Sequence, residues 1–340
     1  MRPQQPLFLG LALAAFAGGS AADTLHVPSE YETIQLALDA AQTGDTVLVA
    51  GGTYRGAGNR DIDFRGKDVK LVSETGPEGC VINCEGTPEA PYRGFLFRGR
   101  ETSAALLEGF TITGGATLPG AVADTFNGGG VFIAASSPTI RNCHFTGNQA
   151  GCWGAALYVT GKSTPRIERC LFTDNFADDD GGGLFLWNGA RPTVVSSVFT
   201  GNAAGTSGGA ISGFGGGALT LLHSTVTNNT ALFGGGVHDF GVHSVIKHSI
   251  IWGNSDNVVG PQASYSIIEG GHPGIGNLNV DPELKSDGYH LLPFSPAIGA
   301  GDPTWSGSGE LDVDGEPRRL GAHVDIGADE FSGRYQVEWK

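Results

Sequence analysis

Hydrophobic and polar positions alternate in short stretches through the middle of the chain. One stretch reads GGGVFIAASSPTIRNC, and in it Val131, Ile133 and Ile140 fall on one face. Phe132 and Arg141 fall on the other face. A period of two residues is that of a strand with one buried face, and no helical period of 3.6 residues survives in this region. The pattern therefore predicts short strands joined by glycine-rich and proline-containing corners.

These strands recur at a nearly constant spacing. The phrases CHFTGN, CLFTDN, SVFTGN, STVTNN and SIIWGN end at Asn148, Asn175, Asn202, Asn229 and Asn254, which are 27, 27, 27 and 25 residues apart. Strands this short cannot each bury a core, but like strands stacked on one another can. The repeat predicts an all-β solenoid, a single-stranded parallel β-helix in which each period is one coil. Stacking also predicts an inward phenylalanine ladder and hydrogen bonds between the asparagine amides.

The stretch before the coils has helical character. Ser29 and Glu32 stand at capping-box spacing, and Ile34, Leu38 and Ala41 then fall on one helical face. We expect a short amphipathic helix that covers the open end of the sheet stack, where backbone groups would otherwise be unpaired.

The first residues are typical of a secretory signal peptide. Arg2 precedes the apolar run LFLGLALAAFA, and the small residues GGSAA follow it, which predicts cleavage after Ala22. The run is too short to span a membrane, so we expect no membrane insertion and a secreted or cell-surface location, extracellular or periplasmic. The predicted divisions are a signal peptide (1–22), a cap and first strand (23–56), coils (57–280, with the clearest repeats at 128–254) and a C-terminal capping module (281–340).

Composition narrows the choice of partners. The 340 residues include 56 glycines and carry a formal charge of -15, with 16% charged residues. This much glycine without a collagen period fits a fold with many tight turns. An acidic chain without a basic patch argues against nucleic acid or an anionic membrane as partner.

Five cysteines leave the redox state open. Cys143 and Cys170 share a repeat position, so stacked rungs bring them within disulfide range, although a buried stack of two reduced thiols fits equally well. Cys80 and Cys84 could close a local loop, which would leave Cys152 unpaired.

Both ends of the chain resemble known exported proteins. TIQLALDAAQTGDTVLVAGGTYRG, followed by IDFRGKDVKLVSETGPEG, resembles the opening of secreted right-handed β-helix proteins of the pectate-lyase-like superfamily. The small-Gly-Gly and F-x-x-N phrases are similar to repeats of chlamydial polymorphic outer-membrane proteins. The tail DPELKSDGYHLLPFSPAIGAGDP resembles the choice-of-anchor Q module. The resemblance implies a right-handed coil and export, and it directs attention to polysaccharide lyase chemistry, in which Ca²⁺ or arginine neutralises a uronic acid.

One set of residues offers that chemistry on the second strand of the repeat. Arg141, Arg166 and Glu168 are predicted to lie on neighbouring rungs, with their side chains pointing outward. As a catalytic patch, one arginine would bind a sugar carboxylate while the other acts on its proton. Arginine is a base only at a strongly perturbed site, so a ladder of cross-rung ion pairs is the alternative interpretation.

Acidic residues suggest a metal. Asp178, Asp179 and Asp180 form a corner that could bind Ca²⁺ through hard oxygen ligands, or could be a solvated acidic turn. Asp312 and Asp314 in DVDG resemble the opening of a calcium loop but lack its downstream glutamate. No cofactor follows with certainty from either set.

Histidines gather in the last full coil. His238, His243 and His248 match no metal-ligand spacing, so we expect them to be surface residues.

The most suggestive column is aromatic. Phe132, Tyr158 and Phe185 share one outward position, and Trp187 follows two residues later. An exposed strip of this kind would stack against the C–H faces of sugars. The alternatives are a loop or neighbouring subunit that covers the strip, or a register slip that turns it inward.

Three functions follow. The first is an exported β-helix that binds extended polysaccharide or a cell-surface glycan through an outer sheet face. The second is an enzyme, either a lyase acting on uronic-acid chains or a glycoside hydrolase. The third is a structural or adhesive surface element.

Overall fold

The computed structural model describes residues 22–120, 127–239, 243–307 and 309–333. The predicted signal peptide falls almost entirely outside these residues and stays a prediction. Within the described ranges, the strands pair in parallel and stack in four sheets. No helix there is long and apolar enough to cross a membrane.

Each sheet collects one strand per coil. Sheet A contains Thr24–Val27, Thr46–Val49, Lys70–Ser73, Leu106–Glu108, Thr139–Arg141, Arg166–Glu168, Thr193–Val195, Thr220–Leu222, Val245–Lys247 and Gln262–Ser264. Sheet B contains Gly52–Tyr54, Cys80–Asn83, Thr111–Thr113, His144–Thr146, Leu171–Thr173, Val198–Thr200, Thr225–Thr227, Ile250–Trp252 and Ile267–Ile268. Sheet C contains Ile62–Asp63, Phe95–Phe97, Val131–Ala134, Leu157–Thr160, Leu184–Leu186, Ile211–Gly213, Val237–Asp239 and Val258–Val259. Sheet D contains Gln149–Ala150, Phe176–Ala177 and Ala203–Ala204.

The register follows the repeat. Val131 pairs with Leu157, which pairs with Leu184, so equivalent residues of successive coils stand one above another. Each coil runs from sheet C to sheet A to sheet B, and the inward side chains of all three form one core. This is an all-β right-handed parallel β-helix, as the sequence predicted.

Two inner ladders confirm the predicted stacking. The rings of Phe145 and Phe172 stack with centroids 5.0 Å apart, and those of Phe172 and Phe199 with centroids 4.2 Å apart. The Asn175 side-chain amide donates to the Asn202 side-chain carbonyl at 2.8 Å and to the Phe145 carbonyl at 2.9 Å. The same pattern runs through the remaining asparagines, Asn148, Asn229 and Asn254.

The corner beside this ladder has left-handed backbone on the residue before each asparagine. Gly147, Asp174 and Gly201 have φ values of 63°, 56° and 69°. The asparagine side chain then points inward, where its amide replaces backbone partners that the corner leaves unpaired.

The N-terminal helix begins later than predicted. It spans Ile34–Ala40, and the Thr33 hydroxyl caps it by accepting from the Leu36 amide. Ser29 and Glu32 do not form the predicted capping box, because the chain before Thr33 is a turn tied to the His26 carbonyl. A second helix, Gly76–Gly79, is one turn long.

The C-terminal segment, residues 281–333, packs along the side of the coils. Val313 and Ala328 cover the outward face of Val198 in sheet B, and Ile326 packs near Ile250. The Ala328 amide donates to the Thr225 hydroxyl at 2.9 Å. The segment has irregular backbone, so side chains rather than a strand ladder attach it to the helix.

The five cysteines are buried free thiols. Cys143 and Cys170 form the stack of two reduced thiols, and burial raises the pKa of Cys170. Cys80 and Cys84 are not bridged, and the Cys152 thiol donates to a carboxylate oxygen of Asp179 at 3.2 Å.

Candidate functional site

A pocket of about 180 Å³ lies where the C-terminal segment meets the outer face of sheet A, at the carboxyl ends of its middle strands. We call it the seam pocket. Its lining combines three arginines, two glutamates and four small or apolar residues: Arg141, Arg166, Glu168, Arg169, Val195, Ser196, Gly309, Glu310 and Leu311. All three residues predicted as a catalytic patch therefore belong to one concave site.

The strand register brings the patch together. Arg166 pairs with Thr139, and Glu168 pairs with Arg141, as predicted. Arg169 follows directly, at a corner where its φ of 52° ends the strand and the chain turns toward the sheet B strand Leu171–Thr173. One rung on, the Ser196 hydroxyl donates to the Leu311 carbonyl at 2.8 Å and joins the two walls of the pocket.

Two of the three arginines are engaged in ion pairs. Arg141 donates to both carboxylate oxygens of Glu108 at 2.8 and 2.6 Å, in the geometry that makes arginine–carboxylate pairs strong. This hydrogen bonding raises the pKa of Arg141. Arg166 pairs with Glu168 on its own strand. A base must lose its proton readily, so the geometry at Arg141 opposes the predicted catalytic role and supports the cross-rung ion pair.

Arg169 is different. Its side chain makes no ion pair with any residue in the described part of the chain, although it lines the pocket. The turn at Gly315 lies against its guanidinium. Glu310, on the opposite wall, likewise has no described cationic partner. The pocket therefore holds one unneutralised cation and one unneutralised anion.

The aromatic column stands in the predicted register but is not an exposed strip. Phe132, Tyr158 and Phe185 point away from the main core, yet their exposures are only 6%, 1% and 0%. Trp153 lies over two of them, with its ring 6.4 Å from that of Tyr158 and 4.8 Å from that of Phe185, and the Arg93 guanidinium lies 5.6 Å from the Phe132 ring. The prediction that these three side chains contact sugar from an open face is wrong, and the alternative of a covering loop is correct.

Only the edge of this aromatic layer reaches solvent. Trp187 is half-buried, and its ring lies 5.3 Å from the half-buried ring of Trp153. Trp187 is thus the one member of the predicted strip that keeps an accessible face.

The acidic corner does not assemble a metal site. Asp179 accepts from Cys152, and Asp180 accepts from the Ser207 hydroxyl, while Asp178 is exposed. Successive residues of an extended corner point in different directions, so the three carboxylates do not converge. Among described residues, the group whose ligand atoms do approach one another is His290, Asp314 and Asp329.

His290 of that group is held in an ion-pair clamp by Asp287 and Asp314. The two ring nitrogens of His290 each lie 2.8 Å from a carboxylate, those of Asp287 and Asp314. Burial lowers the pKa of His290, but the hydrogen bonds to the two carboxylates outweigh burial and raise it to about 9. The imidazole is therefore doubly protonated at neutral pH and donates from both nitrogens to the two carboxylates.

Sequence reasoning placed His243 correctly at the surface but misplaced the other two histidines. His238 and His248 are buried rather than exposed, and His248 contacts His223, which was not singled out. A signal was available: His223 and His248 are 25 residues apart, as are Asn229 and Asn254. Equal spacing places both pairs on the same two rungs.

A comparison with known protein families agrees with the fold, and a comparison with solved structures found a weaker similarity. A family model described as "Right handed beta helix region" matches residues 76–259. A solved structure titled "Crystal structure of pectate lyase Pel9A" matches with a TM-score of 0.44 and 14% identity, covering 92% of this chain and 97% of that one. No curated protein matches the chain. The family match identifies the fold and names no activity.

Proposed function

Since this chain belongs to the right-handed β-helix family, we propose that it binds an acidic polysaccharide without cleaving it, with Arg169 receiving a sugar carboxylate in the seam pocket. The observation that carries the proposal is the unpaired guanidinium of Arg169 in a pocket whose other two arginines are neutralised. A planar guanidinium binds a carboxylate through two parallel hydrogen bonds, which gives orientation as well as affinity.

The other walls suit a sugar. Glu310 offers acceptor oxygens for hydroxyl groups, and Leu311 and Val195 offer apolar surface for the C–H face of a ring. The pocket, at about 180 Å³, is smaller than the roughly 300–1,000 Å³ of pockets that enclose drug-sized ligands. This size fits one uronate unit of a longer chain, with the neighbouring units lying outside.

The acidic net charge limits which chains can bind. A chain with a formal charge of -15 repels polyanions at long range, so binding depends on the local charge at Arg169. Such a complex has weak electrostatic steering, because long-range repulsion opposes the approach of the acidic chain.

The ion pairs favour recognition over catalysis. β-Elimination needs a base beside the sugar carboxylate, and Arg141 is held protonated by Glu108. Ca²⁺ is not required for the proposed binding, because a guanidinium already supplies the positive charge.

Export belongs to the same proposal. The apolar run after Arg2 is the support for secretion, and a polysaccharide ligand is consistent with an extracellular or periplasmic location.

Calorimetric titration with oligogalacturonate and with a neutral oligogalactan of equal length tests the proposal. We expect the acidic oligomer to bind more tightly. We expect Arg169→Gln to weaken binding about tenfold or more, the equivalent of about 1.4 kcal/mol for the loss of a charged hydrogen-bonding partner. Absorbance of unsaturated product is followed in the same samples, with and without Ca²⁺, and should stay flat.

Arg98→Gln is the matched control. Arg98 is ion-paired with Asp63 and lies outside the pocket, so its replacement should leave binding unchanged. Equal affinities for wild-type and Arg169→Gln, with circular dichroism showing both folded, would overturn the proposal. Turnover of the acidic oligomer would overturn its non-catalytic part.

A further inference from the structure

A buried pair of histidines lies where the C-terminal segment docks on the coils. His223 and His248 follow successive strands of sheet A, in the same corner column as Arg169 and Ser196. Each is only 1% exposed. The Nδ1 atom of His248 lies 3.1 Å from Nε2 of His223. The pair therefore continues the corner column of the seam pocket, with His223 one rung beyond Ser196 and two rungs beyond Arg169.

The hydrogen bonds determine which ring nitrogens of His223 and His248 carry a proton. Nε2 of His248 accepts the amide N–H of Asp302 at 3.0 Å, so it carries no proton. The proton of His248 must then be on Nδ1, where it is donated to Nε2 of His223. His223 carries its own proton on Nδ1, an atom that has no hydrogen-bond partner among the described residues. Both imidazoles are neutral, and the lone pair of each accepts a hydrogen bond.

An added proton cannot be accommodated in this arrangement. On Nε2 of His248 it would meet the Asp302 amide, donor against donor. On Nε2 of His223 it would meet the N–H of His248 in the same way. Either event breaks a contact that attaches the C-terminal segment or its supporting histidine.

The docked segment surrounds the pair closely. The ring of Trp305 lies 4.8 Å from that of His223 and 6.0 Å from that of His248. The Gly327 amide donates to the His248 carbonyl at 2.9 Å. Water has little access to a charged imidazole here, so ionisation would carry an uncompensated desolvation cost.

Nearby charges add to this effect. Lys247 and Arg318 disfavour a positive charge on either imidazole. Asp302 favours a positive charge on His248 but is already paired with Lys247 at 2.8 Å. Tyr265 is the neighbour from the next coil, with its ring 6.0 Å from His248. Burial is the largest cause of the shift in both histidines: it lowers the pKa of His248 to about 4 and the pKa of His223 further.

We infer that the His223–His248 pair is an acid-sensitive latch that holds the C-terminal segment against the coils and so keeps the wall of the seam pocket in place. A loss of ligand affinity on acidification would follow, and that consequence alone rests on the proposed function.

The direction of the effect follows from linkage. An undocked histidine binds a proton below about pH 6.5, and docked His248 does so only near pH 4, so docking weakens as the pH falls between these values. Glu330 acts the other way, because burial raises its pKa to about 7 and its docked form gains a proton on acidification. A histidine variant is therefore needed to separate the two.

Hydrogen exchange of the ligand-free protein tests the latch. Protection of the Asp302 and Gly327 amides, corrected for intrinsic exchange, is compared at pH 7 and pH 4.5. We expect it to fall about 50-fold or more in the wild-type protein. The double variant His223→Asn/His248→Asn, whose asparagines suit the left-handed corner, should no longer lose protection on acidification, because only the opposite contribution of Glu330 remains. His272→Asn, outside the pair, should behave as wild type.

Several results would overturn the inference. One is wild-type protection that does not change with pH, and another is an equal fall in the double variant. If that variant does not fold, a carbon–proton NMR titration of the wild-type imidazoles with assigned signals decides. Titration of His223 and His248 near pH 6.5 would contradict the latch. Since no ligand is present, these outcomes are independent of the polysaccharide proposal.

Discussion

The coils and the C-terminal segment are stabilised in opposite ways. In the asparagine ladder of the coils, each buried amide meets a copy of itself: Asn202 donates to Asn229 and accepts from Asn175, and all three are neutral. In the C-terminal segment, Arg318 is buried and donates to the Ala328 carbonyl at 2.7 Å. Burial lowers its pKa even with acidic side chains close by.

This difference explains where chemistry can arise. A ladder of identical neutral groups satisfies hydrogen bonds without any charge, so it is insensitive to pH. Unlike groups buried together must be charged, paired or protonated, and their pKa values move; burial raises that of Glu330 to about 7. Recurrence therefore marks the scaffold, and titration concentrates where a non-repeated segment meets it.

The largest effect should come from Arg318→Met. The change leaves two carbonyls and several carboxylates without their buried cation, and removing one partner of such a network costs about 3–5 kcal/mol. We expect hydrogen exchange to report undocking of the C-terminal segment while the far-ultraviolet signal of the coils persists. If the coils and the C-terminal segment unfolded together, or if exchange in the C-terminal segment did not change, the two regions would not be stabilised separately.

Asn202→Ala should have a somewhat smaller effect, lowering the free energy of unfolding by about 2–4 kcal/mol. It leaves the buried Asn175 amide without one of its acceptors, and the Phe172 carbonyl and Asn229 side-chain carbonyl without this donor. Chemical unfolding followed by circular dichroism measures it. Asn188→Ala, at an exposed left-handed corner, is the control and should cost about 1 kcal/mol. Equal losses in the two variants would mean that the ladder adds nothing to the coil.

The His290 clamp should give the smallest effect. Its folded pKa of about 9 exceeds the unfolded value near 6.5, so its stabilisation is full below about pH 6.5 and is lost as the pH rises through 9. Asp287 and Asp314 are partly exposed, which reduces the effect to about 1–2 kcal/mol. Unfolding midpoints at pH 6.5 and 10 measure it, and His290→Asn should remove the difference. A wild-type midpoint that does not fall would contradict the clamp.

The sequence allowed the coils to be predicted because each strand's partner is its own repeat. Phe145, Phe172 and Phe199 could be aligned by counting residues, and their stacking followed. The burial of Phe185 could not be predicted in this way, since the residue that covers it, Trp153, lies in a corner outside the alternating strands.

Only half of the seam pocket was accessible to the same reasoning. Arg141, Arg166 and Glu168 could be placed on adjacent rungs, but the opposite wall comes from Glu310 and Leu311, over 140 residues later. No periodicity connects that segment to a rung. The pocket around Arg169 depends on this long-range contact, and so does the functional proposal.

Hydrogen-exchange footprinting of the wild-type protein with saturating oligogalacturonate, at constant pH 7, tests most directly that function lies at this junction. We predict added protection in peptides covering 166–169, 195–196 and 309–311, with the outer face of sheet C around Trp187 unchanged. Protection confined to sheet C, with none at the seam pocket, would contradict it.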